Sequence, residues 1–397
     1  DHFAGARLAS IYFGGGTANL YKADQYARLM DIVRGVFDIP PQIEVTLEGI
    51  PQTFSHDKLL AMKQSGMTRI SMGVQVLDDE LIKASGRKQH ADQVFQTLEW
   101  CEALGLPASV DLIFGWPKQT IERMVRDLEA IAATGVNHIT HYELNVAGRT
   151  DFSRNRRDEL PSTEENLEMY RIGKAVLEAC GYTQVTAYDF ERRDADLPSS
   201  YLYEELFRRP FQSGENGPIG FDAWGWGYAG ISFFFGTPQS PGWAFMNQVR
   251  IDDYFRCIRE HRFPVMRGFH YAHADLRLHL LFQELQGLAV DRVAYRRFFG
   301  LDVVEDRDSD QGQAGVNGEL DPHAVAAVID VRLGLALGRV RRVEQGHPVV
   351  RHGLVDVDQF PLAIHLVVNC GNRRVVRLRF RLLGLAPSVS VSVTWTC

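Results

Sequence analysis

The sequence predicts an α/β fold built on parallel strands, and three observations carry that prediction. Five short β-type runs recur roughly 25–40 residues apart, about the size of a βα unit. Helical stripes fill the gaps between them. The runs end in glycine or polar residues, as strands entering loops do.

The runs are Ile11 to Phe13, Ile43 to Leu47, Ile70 to Val74, Val110 to Phe114 and Ile139 to Leu144. Between the first two, Tyr26, Leu29, Met30, Val33, Val36 and Phe37 form one helical stripe. Val94, Leu98 and Cys101 form a second, and Ile121, Met124, Val125, Leu128, Ile131 and Ala132 a third. Each stripe needs a sheet to cover it, and right-handed crossovers make that sheet parallel. The sheet is barrel-like or doubly wound, and in both the C-terminal ends of strands carry ligands. A further helix starts near Ser162, where Ser162 and Glu165 form a capping-box pair. It runs to Cys180 and stops at Gly181. Residues 191–245 are rich in glycine and aromatics and read as long loops around one buried strand, 229–235. Residues 274–298 return to helix. Beyond residue 306 there are 17 Val and 11 Arg without clear periodicity. No fold is assigned to that tail, and a non-native extension is one explanation for it.

Composition bounds the function. The 397 residues are 45% apolar and carry a net charge of −7, so a general polyanion-binding surface is not expected. No apolar run reaches the length of a membrane-spanning helix. Residues 1–20 lack a basic start followed by an apolar core, so no signal peptide is expected. Five cysteines, an odd number, fit a reducing compartment and a cytoplasmic location better than a disulfide scaffold.

Chemistry-bearing residues gather at the ends of the runs. Gly14-Gly15-Gly16-Thr17 closes the first, where glycines allow close backbone approach or simply a tight turn. Asn19 breaks a dinucleotide fingerprint there, and no Gly-Lys-Ser/Thr follows to make a phosphate loop. Glu44 and Glu48 share one face of the second run and are either an acid/base pair or one ligand contact and one solvated acid. Gln75 ends the third. Asp111 lies inside the fourth, where a buried carboxylate needs a partner. Arg87 is the expected counterpart, so the two either form an internal salt bridge or grip an amino-acid head group. His138 and His141 fall on opposite faces of a strand and make a poor metal pair. His270, His273 and His279 are expected to be exposed helix residues, and no metal site is assigned.

These segments resemble the oxygen-independent coproporphyrinogen III oxidase family of radical SAM enzymes. The resemblance rests on Tyr12 to Thr17, Glu44 to Pro51, Gly66 to Gln75, Ser85 to Arg87, Asp111 to Thr120 and His138 to Leu144, in family order over residues 8–305. It implies a partial (β/α)6 radical SAM barrel, first strand missing, over 1–190. A C-terminal α+β accessory region follows over 191–305, and 306–397 stays unassigned. It also implies S-adenosyl-L-methionine (SAM), two molecules of it. Gly15 and Glu48 would contact the first, with Gly16 and Thr17 beside it and Ile231 packed against it; Gln75, Arg87 and Asp111 would hold the second.

A [4Fe-4S] cluster is implied as well, but the family's CxxxCxxC loop is absent from the sequence and expected upstream of residue 1. The chain is then a fragment or a cluster-free relative. The implied chemistry is hydrogen abstraction by a 5′-deoxyadenosyl radical on a tetrapyrrole or similar skeleton, by oxidative decarboxylation or methyl transfer. Flavodoxin or ferredoxin would be the electron donor. Trp224, Trp226, Tyr228 and Phe233 to Phe235 either wall such a substrate or pack an ordinary core. The haem-chaperone motif of the family is reduced to Tyr203 in Ser199 to Glu204. A non-catalytic haem- or SAM-binding protein is the alternative. An unrelated aldolase-type barrel would require a strand-end lysine, and no run ends in one.

Overall fold

The computed structural model describes residues 7–15, 17–144, 146, 156–194, 212–214, 217–219, 221–303, 363–369, 378–382 and 389–393. Its core is a βα repeat. The first half runs β1 (Arg7–Gly14), α1 (Gln25–Arg34), β2 (Glu44–Gly49), α2 (His56–Ser65), β3 (Arg69–Gln75), α3 (Asp79–Ala84) and α4 (Ala91–Ala103). The second runs β4 (Ala108–Phe114), α5 (Ile121–Ala132), β5 (His138–Glu143), α6 (Thr163–Ala179), β6 (Tyr182–Gln184) and β7 (Asp189–Arg192). Strands β1 to β5 pair in parallel in chain order, as the crossover argument requires. The chain then turns back, and β7 lies antiparallel on β5 with β6 outside it.

Local chemistry sets the helix limits. The side chains of Ser55, Asp78, Thr120 and Ser162 accept from the first free amides of α2, α3, α5 and α6. Gly66 ends α2 at φ +104°, a conformation most side chains resist.

Side-chain alternation decides what each face of the parallel sheet does. One face is apolar: Ile11, Phe13, Val45, Leu47, Ile70, Met72, Val74, Val110, Leu112 and Ile139 are all buried in one core with Tyr26, Met30, Val33, Met124, Leu128 and Leu177 of the helices. Each fully buried Val, Leu or Ile there is worth about 1.5–3 kcal/mol. The opposite face is polar, with Ser10, Thr46, Arg69, Ser71, Ser109, His138 and Thr140 all buried. Parallel sheets are usually apolar on both faces. A polar inner face has to be satisfied by a side-chain network or a ligand.

The second half departs from the sequence expectation. In place of long loops, residues 221–247 form a meander of β10 (Phe221–Trp226), β11 (Ile231–Thr237) and β12 (Ser240–Asn247), preceded by the short pair β8 (Gln212–Gly214) and β9 (Gly217–Ile219). Glycine made this segment look like loop, yet the tight strand pairing uses it. A Cβ on Gly242 would stand 1.8 Å from the Phe234 carbonyl oxygen. Then come α7 (Ile251–Arg259), the edge strand β13 (Val265–His270), α8 (His273–Gln286) and α9 (Arg292–Phe299). A separate small core joins Phe235, Ala244, Tyr271, Leu276, Leu280, Tyr295 and Phe299.

The tail does contain strands: β14 (Ala363–Asn369), β15 (Leu378–Leu382) and β16 (Val389–Val393). β14 lies antiparallel between β1 and β10 and joins the two halves into a single twelve-stranded sheet. The rest of 306–397, including Cys370 and Cys397, lies outside the described residues, as does Tyr203. No described helix is long and apolar enough to cross a membrane.

Candidate functional site

The polar inner face is richest at the C-terminal ends of β1 to β4. Glu48, near the end of β2, is half-buried, and its Oε2 accepts from the Gly15 amide and the Tyr12 hydroxyl, each at 3.3 Å. Gly14 makes this approach possible, because a Cβ there would stand 2.4 Å from Glu48 Oε2. Gly15 itself turns at φ +78°. The glycine run therefore gives a close carboxylate contact as well as a turn. Burial pushes the Glu48 carboxyl upward, partly offset by those two donors. Thr17 follows, half-buried, as the cap of a short 3-10 turn; Gly16 lies outside the described residues.

Asn19, passed over as a mere departure from a fingerprint, is fully buried and joins the two strand ends. Its Nδ2 donates to the Ile50 carbonyl at 2.9 Å, and its Oδ1 accepts from the Ile50 amide at 3.1 Å. Lys58 Nζ donates to the Asn19 carbonyl at 2.8 Å. Asn19→Ala removes both side-chain bonds and strands the Ile50 amide, at a cost of about 1–3 kcal/mol. Hydrogen exchange at the Ile50 amide should speed up accordingly. Unchanged protection would contradict this role.

The next three candidates meet at Gly73. Arg87 Nη2 donates to the Gly73 carbonyl at 2.6 Å, and its Nε to Gln89 Oε1 at 3.0 Å. Gln89, buried and absent from the sequence argument, also donates to the carbonyls of Val74 and Val76. That brace holds the turn in which Gln75 adopts φ +71°, rare for a non-glycine residue. Gln75 Nε2 lies 3.0 Å from where a Gly73 Cβ would stand. Asp111 is the β4 register partner of Gly73.

The expected Arg87–Asp111 pair is not what forms, however. Arg87 is spent partly on backbone, while the cation acting on Asp111 is Arg69, and Thr140 is its β5 register partner. Asp111 is half-buried by surface and enclosed in depth by protein. Burial first, then the Glu48 and Asp189 carboxylates, raise it to about 7, against the pull of Arg69 and Thr140. Glu48 and Asp111 thus act on each other as two acids on strands either side of β3.

Below them lies a closed ladder. Arg69 Nη2 is 3.3 Å from His138 Nδ1, and His138 Nε2 is 3.4 Å from Asp189 Oδ1. Asp189 accepts from Thr140 Oγ1 at 2.9 Å and from the Thr186 hydroxyl. Ser109 Oγ donates to Ser71 Oγ at 3.1 Å.

Other expectations are corrected. Glu44 is bonded by Thr46 at the far end of β2, four residues and about 13 Å from Glu48, so the two are no acid/base pair. Ile231 opens β11, which β10 and β14 separate from β1, and it is not brought into the Glu48 group. Trp224 and Trp226 pack on Phe37 with centroids 6.2 and 5.6 Å away, serving as core. His279 is half-buried among Phe233, Phe235 and Tyr271, and desolvation lowers it to about 4. His141, on the outer face, is lowered to about 3 for the same reason. Cys101 and Cys257 are buried and Cys180 is exposed.

Among the described residues no three Cys, His, Asp or Glu side chains could share a metal. A [4Fe-4S] cluster therefore finds no ligand set among the described residues. A sulfonium nucleoside fits better: two opposed acids suit cationic centres, and glycines clear the floor.

The parallel α/β core with ligand-type groups at its strand ends is a radical SAM fold. Residues 2–131 match the radical SAM superfamily, and the chain carries a radical SAM domain. Its homologues include three proteins. The mitochondrial radical S-adenosyl methionine domain-containing protein 1 of Bos taurus is 33% identical over 202 residues, 50% of this chain and 46% of the relative. The heme chaperone HemW of Bacillus subtilis is 30% identical over 221 residues, covering 54% and 58%. Oxygen-independent coproporphyrinogen III oxidase of Escherichia coli is 28% identical over 271 residues, covering 67% and 57%. The solved structure of the last superposes with a TM-score of 0.60 at 23% identity, over 73% of this chain and 66% of that one. The chain spans about half the length of the curated relatives it matches. The superfamily implies SAM and a [4Fe-4S] cluster.

Proposed function

We propose that this chain binds SAM at the rim formed by β1 to β4 and acts with it on a tetrapyrrole. The observation that carries the proposal is the pair of acids Glu48 and Asp111 on the polar face of the sheet, with Arg69 the cation acting on Asp111. Gly15 and Glu48 serve one SAM molecule, with Thr17 beside it. Gln75, Arg87 and Asp111 serve a second. The carboxylates take the ammonium and offset the sulfonium charge. Arg87, with five donors of which two are committed to Gly73 and Gln89, has others to offer a carboxylate. When bound, SAM supplies an activated carbon bonded to sulfur. The protein's share is to orient it and exclude water. The coproporphyrinogen oxidase relative supports a porphyrinogen substrate; a flavodoxin- or ferredoxin-type donor and a cytoplasmic location belong to the same proposal. The functional division is 1–190 for SAM and 191–305 for the accessory region.

A haem- or SAM-binding role without turnover is the second reading, favoured by the HemW relative. Equilibrium dialysis with SAM, followed by titration with haem, tests both. Tight SAM binding supports the first premise. A stoichiometric Soret shift without consumption of coproporphyrinogen by the reduced, reconstituted protein moves the balance to the second. No SAM binding at all overturns the site.

The pH dependence has a definite sign. Asp111 is raised to about 7, so it sheds its proton as pH rises through neutrality and attracts a cation better above that point. SAM affinity should fall by up to about tenfold between pH 7 and 6. S-adenosyl-L-homocysteine, which lacks the sulfonium charge, should show a shallower slope. Parallel profiles for the two ligands would contradict the assignment.

A further inference from the structure

The ladder beneath the rim has a shortage of protons that can be counted. Thr140 Oγ1 donates to Asp189 at 2.9 Å, and Thr140 is the β5 register partner of Asp111, so one hydroxyl stands beside two acids. A hydroxyl carries one proton and two lone pairs, so it can donate to only one of them. Asp189 is well supplied. Its Oδ2 takes the Thr186 hydroxyl, and its Oδ1 faces His138 Nε2 at 3.4 Å. The Arg69 donor 3.3 Å from His138 Nδ1 makes that nitrogen the acceptor and places the imidazole proton on Nε2, toward Asp189. Asp189 is accordingly held below the usual carboxylate range by His138, Thr186 and Thr140, despite burial.

With the Thr140 proton given to Asp189, Thr140 offers Asp111 only a lone pair, which suits a carboxylic acid and not a carboxylate. The charged groups that act on Asp111 are Glu48 from β2, Arg69 from β3 and Asp189 from β7, two anions against one cation.

We propose that the Thr140 hydroxyl is a switch shared by two acids: it serves Asp189 while Asp111 holds a proton, and turns to Asp111 when a cationic ligand enters. The balance is simple. The Asp111 O–H bond breaks and its proton leaves to solvent, while the Thr140 O–H bond stays intact and only rotates. Asp189 keeps Thr186 and His138. Thr140 and Asp189 are then positioning residues that couple cation uptake to release of one proton. The ligand identity rests on the SAM reading above; the switch itself does not.

The test is a carboxyl-carbon NMR titration of the full chain labelled with 13C-aspartate, with Asp111 assigned by Asp111→Asn. In the ligand-free protein Asp111 should titrate near neutrality. Thr140→Val should raise its midpoint by about a unit, Thr140→Ser should restore it, and Asp189→Asn should lower it by a similar amount. Opposite signs from two neighbouring substitutions are not what mere loosening produces. An Asp111 midpoint in the ordinary carboxylate range, or variants that leave it unmoved, overturns the switch. Added SAM should then drop the wild-type midpoint below 5 and release about 0.7 proton per ligand at pH 6.5. Failure of SAM to bind would overturn the assigned ligand, while the ligand-free titrations still decide the switch.

Discussion

Glu48→Gln weakens SAM binding by roughly tenfold to a hundredfold and leaves the fold as stable as before. The two halves of that expectation have separate causes. A hydrogen bond to a charged group contributes about 1.5–3 kcal/mol, and each 1.4 kcal/mol is tenfold in affinity. The amide of glutamine keeps an acceptor oxygen for Gly15 and Tyr12, so the turn after β1 stays tied to β2. Removing the charge also relieves Asp111, which Glu48 pushes upward. Asp111 should therefore titrate lower in the variant. Calorimetric titration with SAM and a thermal melt check the two claims together. Undiminished affinity in a folded variant would remove Glu48 from the site, and with it the charge argument for a cationic ligand.

Much of this was legible in the sequence, because backbone pattern and motif order are local. The five apolar runs became β1 to β5, and the 3.6-residue stripes became α1, α4 and α5 on their outer face. Glu48 and Gln75 fell at strand ends, where a parallel sheet puts ligands, with Arg87 in the loop after α3 and Asp111 inside β4.

The misses share a physical reason. Arg87 looked like the partner of Asp111 because both are charged and close in the order of motifs. Which cation a buried acid meets, however, depends on side-chain parity across the sheet, and Arg69 points inward from β3 while Arg87 reaches the backbone at Gly73. The signal was available: Arg69-Ile-Ser-Met-Gly, Ser109-Val-Asp-Leu and His138-Ile-Thr alternate polar with apolar in strands expected to be apolar throughout. Read together they mark one inner face. His279 and the meander of β10 to β12 were less accessible, since pairing between distant segments and burial under α8 leave little local trace.

Arg69→Met should be the most damaging single change in the barrel. Arg69 is 2% exposed, lies beside His138, and is the one cation acting on Asp111, which also feels Glu48 and Asp189. Methionine fills the space and removes the charge, leaving buried acids uncompensated, a loss of about 3–5 kcal/mol. Arg69→Lys should recover part of it, as a point charge without the planar fork. The sign of the pH effect separates this from simple cavity damage. Asp111 already has a folded value near 7, above its unfolded one near 4, so its contribution is full at low pH and fades as pH rises through 7. Without Arg69 the folded value climbs further and the fading becomes steeper. Asp189, held low, loses its contribution only in acid, below this window. The stability gap between wild type and Arg69→Met, from urea unfolding, should therefore widen from pH 5 to pH 8. A gap that stays constant across that range, or one below about 1 kcal/mol, would mean that Arg69 is packing in the barrel and not its counter-charge.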